Sequence, residues 1–381
     1  MRSRTPLPVL KLLVAVAAIL WLPEQGSGQE AGKESASSTT AQIKELDAAR
    51  AKQLVPQHRD KTLNLNGLTT LSREVATALA GHADYLQLNG IASLEPDAAD
   101  ALAKCRGDLQ LEGLVSLDSR PLARKLALQR GTLQLNRLRS VAEPISQTLA
   151  ECLGKLYLDG LVAIDSTSLA RKLGSRGDAV MLVHIKELGP EAARGFSSAR
   201  CDLYLKGLEK IGDETAQILA SHEGVLDLDG LTSIAPEAAA AVARNRGPLD
   251  LGSLKELSPE AAAALGGHKG AMCLSGLSRL DAEVARGLAG HTGHLTLSGV
   301  RSLSLGAAEA LVGCKGVVVL DGVNRLEDDV ALALAQHRAG SNTGFVLVPD
   351  ALRDLSDKSD LAVRRSRHVR LGNWLETTNA P

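Results

Sequence analysis

A leucine returns at a fixed interval through most of this chain. It is the second leucine of the pattern Leu-x-Leu-x-Gly-Leu-x-x-Leu. It stands at Leu65, Leu88, Leu111, Leu135, Leu158, Leu182, Leu205, Leu228, Leu251, Leu274, Leu297 and Leu320. Nine of the eleven intervals are 23 residues and two are 24. Such a unit cannot bury its apolar face alone and must stack on its neighbours, so the period decides the fold before any local motif does. The length of 381 residues would otherwise suggest two or three domains. Aromatic residues make up only 2% of the chain, so Leu and Ala must build the core.

Each unit has the same anatomy. In the one beginning at Leu249, Leu249 and Leu251 alternate with Asp250 as a short strand with its leucines inward. Leu254 and Leu257 join the same core. Ser258, Pro259 and Glu260 then read as N-cap, N1 and N2 of a helix, with Ala262 and Leu265 facing in. Gly266, Gly267 and Gly270 return the chain to the next strand. Acidic residues such as Glu74, Glu237 and Glu260 fall at helix starts, and Lys104, Arg244 and Lys269 near helix ends, where the macrodipole favours each sign. The expected class is α/β: a solenoid of about twelve strand–helix units, with a parallel sheet on one face and short helices on the other.

The unit, with its following Ala/Leu helix, resembles that of bacterial leucine-rich-repeat proteins over residues 63–340, about three quarters of the chain. The resemblance implies a binding module that works through its strand face, and it brings no catalytic residues. One departure stands out. The usual unit places Asn or Cys after the strand to bond the loop backbone, whereas this chain has Gly67, Gly90, Gly113, Gly160, Gly207, Gly230, Gly276, Gly299 and Gly322 in that neighbourhood. A regular asparagine ladder is therefore not expected.

Outside the array, residues 1–28 read as a signal peptide or N-terminal anchor. Arg2 and Arg4 precede the apolar run Leu12–Leu22, and Gly26-Ser27-Gly28 offers small residues for cleavage. Eleven apolar residues are short for a spanning helix, which needs roughly 20. An exported, extracytoplasmic protein (periplasmic, cell-surface or secreted) is expected, with membrane attachment only if the segment stays uncleaved. Residues 29–40 read as a flexible linker, 41–62 as an N-terminal helical cap, 341–371 as a C-terminal cap and 372–381 as a tail. Within the first cap, Ile43, Leu46 and Leu54 share one helical face that Asp47 and Arg50 interrupt, and Pro56 ends the run. Without residues 1–28 the chain has 40 basic and 43 acidic residues. No global basic field draws nucleic acid, and few rings exist to stack bases. The only dense basic run, Arg364, Arg365, Arg367, His368 and Arg370, reads as a solvated cap helix.

An exported chain can form disulfides, but the register opposes it. Cys105 and Cys152 are equivalent positions two repeats apart, hence roughly 10 Å apart at about 4.8 Å per strand. A disulfide needs Cα atoms within about 7 Å. Cys201, Cys273 and Cys314 have no equivalent partner in an adjacent repeat, so five free, mostly buried thiols are expected.

No phosphate loop, Gly-x-Ser-x-Gly elbow or His-Glu-x-x-His pair exists. Arg106-Gly107-Asp108 and Arg176-Gly177-Asp178 spell an adhesive tripeptide, but both fall at the repeat's own glycine turn. The position 19 residues after the first strand leucine is His or Cys in eight of twelve repeats, ending in His268, His291, Cys314 and His337. A metal ladder there is the weaker reading, because stacked positions lie in a line and zinc needs converging ligands. Corner-filling at the helix end is the stronger one.

The strand face, expected to be concave, is the better candidate for recognition. Its outward columns are mostly small, acidic or amide residues. In the middle, Tyr157, Met181 and Tyr204 occupy consecutive rungs, flanked by Asp159, Val183 and Lys206, and an acidic edge of Asp227, Asp229 and Asp250 follows. Exposed Tyr and Met are enriched in interface cores. The rung holding Met181 is also the least regular, with His184 for Gly and Phe196 for the helix leucine. The expected function is non-enzymatic: a binding or scaffold protein, without cofactor, that recognises a protein or polysaccharide partner through this face. The alternative is a structural cell-envelope or surface component with no dedicated ligand.

Overall fold

The computed structural model describes residues 40–59, 61–336, 344–347, 354–366 and 369–371. The signal segment, the linker up to residue 39, His337, the tail, and Arg367 and His368 of the basic run lie outside them. The chain divides into two units, one up to Cys201 and one from Asp202.

The first unit carries two-residue strands β1 (Leu63–Asn64), β2 (Leu86–Gln87), β3 (Leu109–Gln110), β4 (Leu133–Gln134), β5 (Leu156–Tyr157) and β6 (Val180–Met181), each followed by a helix. The second carries β7 (Leu203–Tyr204), β8 (Leu226–Asp227), β9 (Leu249–Asp250), β10 (Met272–Cys273), β11 (Leu295–Thr296), β12 (Val317–Val319), β13 (Gly344–Leu347) and β14 (Val369–Leu371). All described pairings are parallel, and Leu63 sits opposite Leu86, Leu86 opposite Leu109 and Leu249 opposite Met272. The invariant leucines are fully buried throughout. Each contributes about 1.5–3 kcal/mol by leaving water.

The helices start where the sequence places them. Pro96, Pro190, Pro236 and Pro259 are all first residues, and Ser258 Oγ caps the Ala261 amide at 3.1 Å. The N-terminal helix differs. It runs Ala48–Gln57, so Ile43 and Leu46 precede it and Pro56 lies in its last turn. Asp47, which seemed to interrupt an apolar face, is its N-cap and accepts the Arg50 amide at 2.8 Å. At the other end, helix Asp357–Arg365 is followed by a strand rather than closing the fold: β14 extends the parallel sheet, with Val369 opposite Phe345.

The glycine that stands two residues after nine of the twelve invariant leucines reflects contact between coils. A methyl carbon at Gly90 would overlap the carbonyl oxygen of Asn66, and one at Gly160 that of Asn136. An asparagine ladder does exist, one residue before the glycine. Asn66 Oδ1 accepts the Asn89 amide at 2.8 Å, Asn89 Oδ1 the Glu112 amide at 3.1 Å, and Asn136 Oδ1 the Asp159 amide at 3.2 Å.

The ladder breaks twice in the first unit. β1, β2 and β3 form one sheet, β4 and β5 another, and β6 belongs to neither. Each break follows one of the two 24-residue repeats. In these the N-cap serines Ser119 and Ser166 stand eight residues after Leu111 and Leu158, whereas Ser72 stands seven after Leu65. The added residue therefore lies in the strand-to-helix loop. A cavity of about 350 Å³ opens beside the lengthened loop of the third repeat, lined by Leu94, Leu117, Asp118 and Pro121 among others.

Candidate functional site

The corner residue where each helix turns back towards the sheet is buried. His82, Cys105, Cys152, His222, Asn245, His268, His291 and Cys314 all occupy it. Its backbone N–H bonds the carbonyl of the last inward helix residue, as in His82 to Leu79 (2.9 Å) and Asn245 to Val242 (3.0 Å). Its side chain can reach the preceding coil: Cys105 Sγ lies 3.8 Å from the His82 carbonyl, and Asn245 Nδ2 donates to the His222 carbonyl at 2.6 Å. The His268 and His291 rings stack at 6.0 Å. Burial pushes both imidazoles below their ordinary pKa and so favours the neutral form. Among the described residues no three His, Cys, Asp or Glu side chains converge as metal ligands would. His337, the last of the proposed ladder, lies outside these residues.

In the 24-residue repeats this corner falls one position later, on Gln129 and Arg176. The Gln129 amide bonds the Leu126 carbonyl just as His82 bonds Leu79. Its side chain then enters the sheet: Oε1 accepts the backbone N–H of Leu109, in β3, at 2.8 Å. In an unbroken rung that N–H meets the next strand's backbone, as Leu86 N–H meets the Asp108 carbonyl at 2.8 Å. Arg176 does the corresponding work at the second break. Its Nη1 donates to the Leu156 carbonyl at 3.0 Å and its Nη2 to the Ala179 carbonyl, bridging β5 to the residue just before β6.

Four of the nine strand-face residues expected to meet a partner lie in the first unit. Tyr157, Asp159, Met181 and Val183 are all half-buried. Tyr157 is not a free aromatic anchor. The Arg176 guanidinium stacks 4.2 Å from its ring centroid, and its hydroxyl donates to Asp178 Oδ2 at 2.7 Å. Lys155 Nζ donates to the same oxygen at 2.6 Å, and these two hydrogen bonds hold the Asp178 carboxyl below its usual range. The Arg176 side chain is only 2% exposed, with Asp159 Oδ1 3.9 Å away. Burial raises the Asp159 carboxyl despite that cation. Arg176-Gly177-Asp178 therefore cannot present its arginine as an adhesive motif. Arg106-Gly107-Asp108 keeps Arg106 and Asp108 exposed, with Gly107 buried against the preceding turn.

The other five residues lie in the second unit, and two correct the expectation. Tyr204 is 5% exposed and Asp227 1% exposed, so neither is available as a contact residue. Burial, reinforced by Asp202, Asp227 and Asp250, pushes the Tyr204 phenol up to about 12. Asp227 Oδ2 lies 3.5 Å from Lys206 Nζ, and its Oδ1 accepts the Asp229 amide at 3.0 Å. Asp229 accepts the Ser253 hydroxyl at 3.1 Å. Asp250 accepts the Gly252 amide at 2.9 Å, while burial and the neighbouring Asp227 and Asp229 raise its carboxyl to about 6. The acidic edge is thus largely engaged in its own loop backbone.

Burial covers most of the thiols. All five cysteines are free, as the register implied, and Cys273 alone is half-exposed. Burial pushes Cys273 and Cys314 to about 12, and the Asp250 carboxylate adds to the rise at Cys273. A thiol with so high a pKa holds almost no thiolate at neutral pH.

Periodicity located the face but missed Gln129, Arg176 and Lys155. The available signal was the 24-residue interval, which shifts the corner by one. The two long repeats also share the helix string Leu-Ala-Arg-Lys-Leu, at 122–126 and 169–173.

No protein-family model matches the sequence, and no curated protein matches it. Among solved structures, a leucine-rich-repeat protein of Leptospira interrogans is 18% identical, covering 87% of this chain and 100% of its own, with a TM-score of 0.34. An internalin of Listeria monocytogenes is 12% identical over 86% of this chain and 94% of its own, with a TM-score of 0.41. A chain of the yeast Rad7–Elc1 complex is 14% identical over 99% and 100%, with a TM-score of 0.38. Such distant likeness transfers neither activity nor partner. By its own invariant leucines, 23-residue register and parallel ladder, the chain is built as a leucine-rich-repeat-like solenoid.

Proposed function

We propose that this is a non-enzymatic scaffold that recognises a protein or polysaccharide partner through its strand face, outside the cytoplasm. One observation carries the reading. The inward leucines are invariant and fully buried, while the outward strand positions change chemistry from rung to rung and, apart from buried Tyr204, Asp227 and Val319, stay at least partly exposed. A rigid frame bearing a variable, ordered surface serves selective binding. Met181 and Val183, apolar and half-exposed on one rung, are the proposed centre, with Tyr157 and Asp159 on the rung before. In the second unit, taken by itself, Tyr204 and Asp227 lie buried beneath its own strand face. Lys206, Asp229 and Asp250 are secondary contacts. The N-terminal apolar run is the proposed export signal.

A photo-crosslinking amino acid placed at Val183, and separately at exposed Ala263 on the helix side, tests the face. In the native envelope, Val183 should yield a discrete adduct that Met181→Asp removes, and Ala263 should yield none. Adducts from Ala263 alone would reject strand-face recognition. Localisation is tested by fractionating cells that express the full chain, where recovery only in the cytoplasm would reject export.

A further inference from the structure

The second break differs on its two sides. On the strand side, no direct backbone pairing joins β5 to β6. Gly177, at φ +77°, has no atom within 4 Å of where a side chain would begin. Ahead of regular rungs the turn is closed, since at Gly154 and Gly247, one position later after the corner, a methyl carbon would overlap the preceding coil; Gly131, ahead of the first break, is as open as Gly177. His184 stands where nine of the twelve repeats have glycine. On the helix side the coils press together. A methyl carbon at Gly195 would lie 2.6 Å from the Thr167 carbonyl oxygen, and one at Gly174 would lie 2.7 Å from Ala199 Cβ. Thr167 Oγ1 also donates to the Glu191 carbonyl at 2.7 Å. The junction is a wedge, tight at helices Thr167–Gly174 and Pro190–Phe196 and unpaired at the strands.

One side chain spans the open side. Arg176 bonds the Leu156 and Ala179 carbonyls, stacks on Tyr157 and is almost wholly buried. Its Nε has no hydrogen-bond partner, and its nearest carboxylate is 3.9 Å away. A guanidinium held mainly by neutral carbonyls and a ring is less firmly fixed than one in a bidentate carboxylate pair. Backbone rungs close the regular coils, whereas a withdrawable side chain closes this one.

We propose that the β5–β6 junction is a hinge, with the helix pair as its pivot and Arg176 on Tyr157 as its latch. Opening it separates the Tyr157 rung from the Met181 rung without unfolding either coil. The proposal holds whether or not that face binds a partner.

Amide hydrogen exchange on the full chain tests it. Amides at 156–160 and 180–184 should exchange at least about tenfold faster than the matching amides at 63–67 and 86–90, because local opening costs less than global unfolding. Arg176→Met should speed the former pair a further several-fold and leave 63–113 unchanged, and Arg176→Lys should fall between. Tyr157→Leu removes the stacking surface and should reproduce the effect if Arg176→Met fails to fold. Equal exchange at the two places in the unmodified protein overturns the hinge. Acceleration spread evenly along the chain in both variants overturns the latch, because Arg176 would then be general structural support.

Discussion

Gln129 Oε1 takes the backbone N–H of Leu109 at 2.8 Å, in the place where a neighbouring strand would otherwise supply a carbonyl. The bond is buried, so its loss leaves a donor with no access to water. Gln129→Ala should cost about 1–3 kcal/mol. Gln129→Glu, which keeps an acceptor at that position, should cost less. Denaturant unfolding followed by circular dichroism measures both, and equal midpoints for the alanine variant and the parent protein would show that Leu109 finds another partner.

Glycine should be indispensable where coils touch and dispensable where they do not. Gly90→Ala and Gly160→Ala each drive a methyl group into a carbonyl of the preceding coil. Forced overpacking of this kind costs about 1–3 kcal/mol. Arg137→Ala and His184→Ala, at the equivalent position just after each break, should leave the unfolding midpoint nearly unchanged. Similar losses at all four sites would contradict the open junctions.

Two pH windows of opposite sign should appear in the second unit. Burial lowers the His268 and His291 pKa values below 6.5. Between the folded values and 6.5 the unfolded chain binds more protons, so stability is full above 6.5 and falls as pH drops through that range. The Asp250 carboxyl is raised from 3.8 to about 6. There the folded chain binds the extra proton, so its contribution is present below 3.8 and lost as pH rises through about 6. His291→Gln should flatten the first slope in melting temperature against pH, and Asp250→Asn the second. Melting curves of both variants parallel to the parent's from pH 4 to 7.5 would refute these assignments.

Thiol titration offers a simpler check. In native protein near pH 7.5 a disulfide-exchange reagent should find no fast-reacting cysteine, because four are buried and Cys273, though half-exposed, is raised to about 12. All five should react after denaturation, without prior reduction. A rapid native equivalent would place a thiolate where burial argues against one.

The leucine period specified a stacked-repeat fold, and the Leu-x-Leu alternation within each repeat specified that the stacked elements are parallel strands. The helix starts were equally legible, since Ser-Pro-Glu at 258–260 has a capping chemistry that needs no tertiary context. The breaks were harder. A 24-residue interval looks like harmless slack, and its effect emerges only when Gln129 and Arg176 are seen to enter the rung. Strand alternation assigns Tyr204 an outward position but cannot report how deeply a large ring is covered, so its burial was not readable. The irregularity at His184 was readable and falls, like Arg137, just after a break, although Ser253 also departs from glycine in a repeat whose strand is paired to the one before.

The two long repeats also bear on how such an array can vary. One residue added to an outer loop moves a long polar corner side chain onto the sheet, and the joint then sits wherever that insertion sits. Flexibility here behaves like punctuation, placed between rungs without rewriting them. Trimming the fifth repeat to 23 residues with His at its corner should therefore erase a joint, and the same insertion in the ninth repeat should write one.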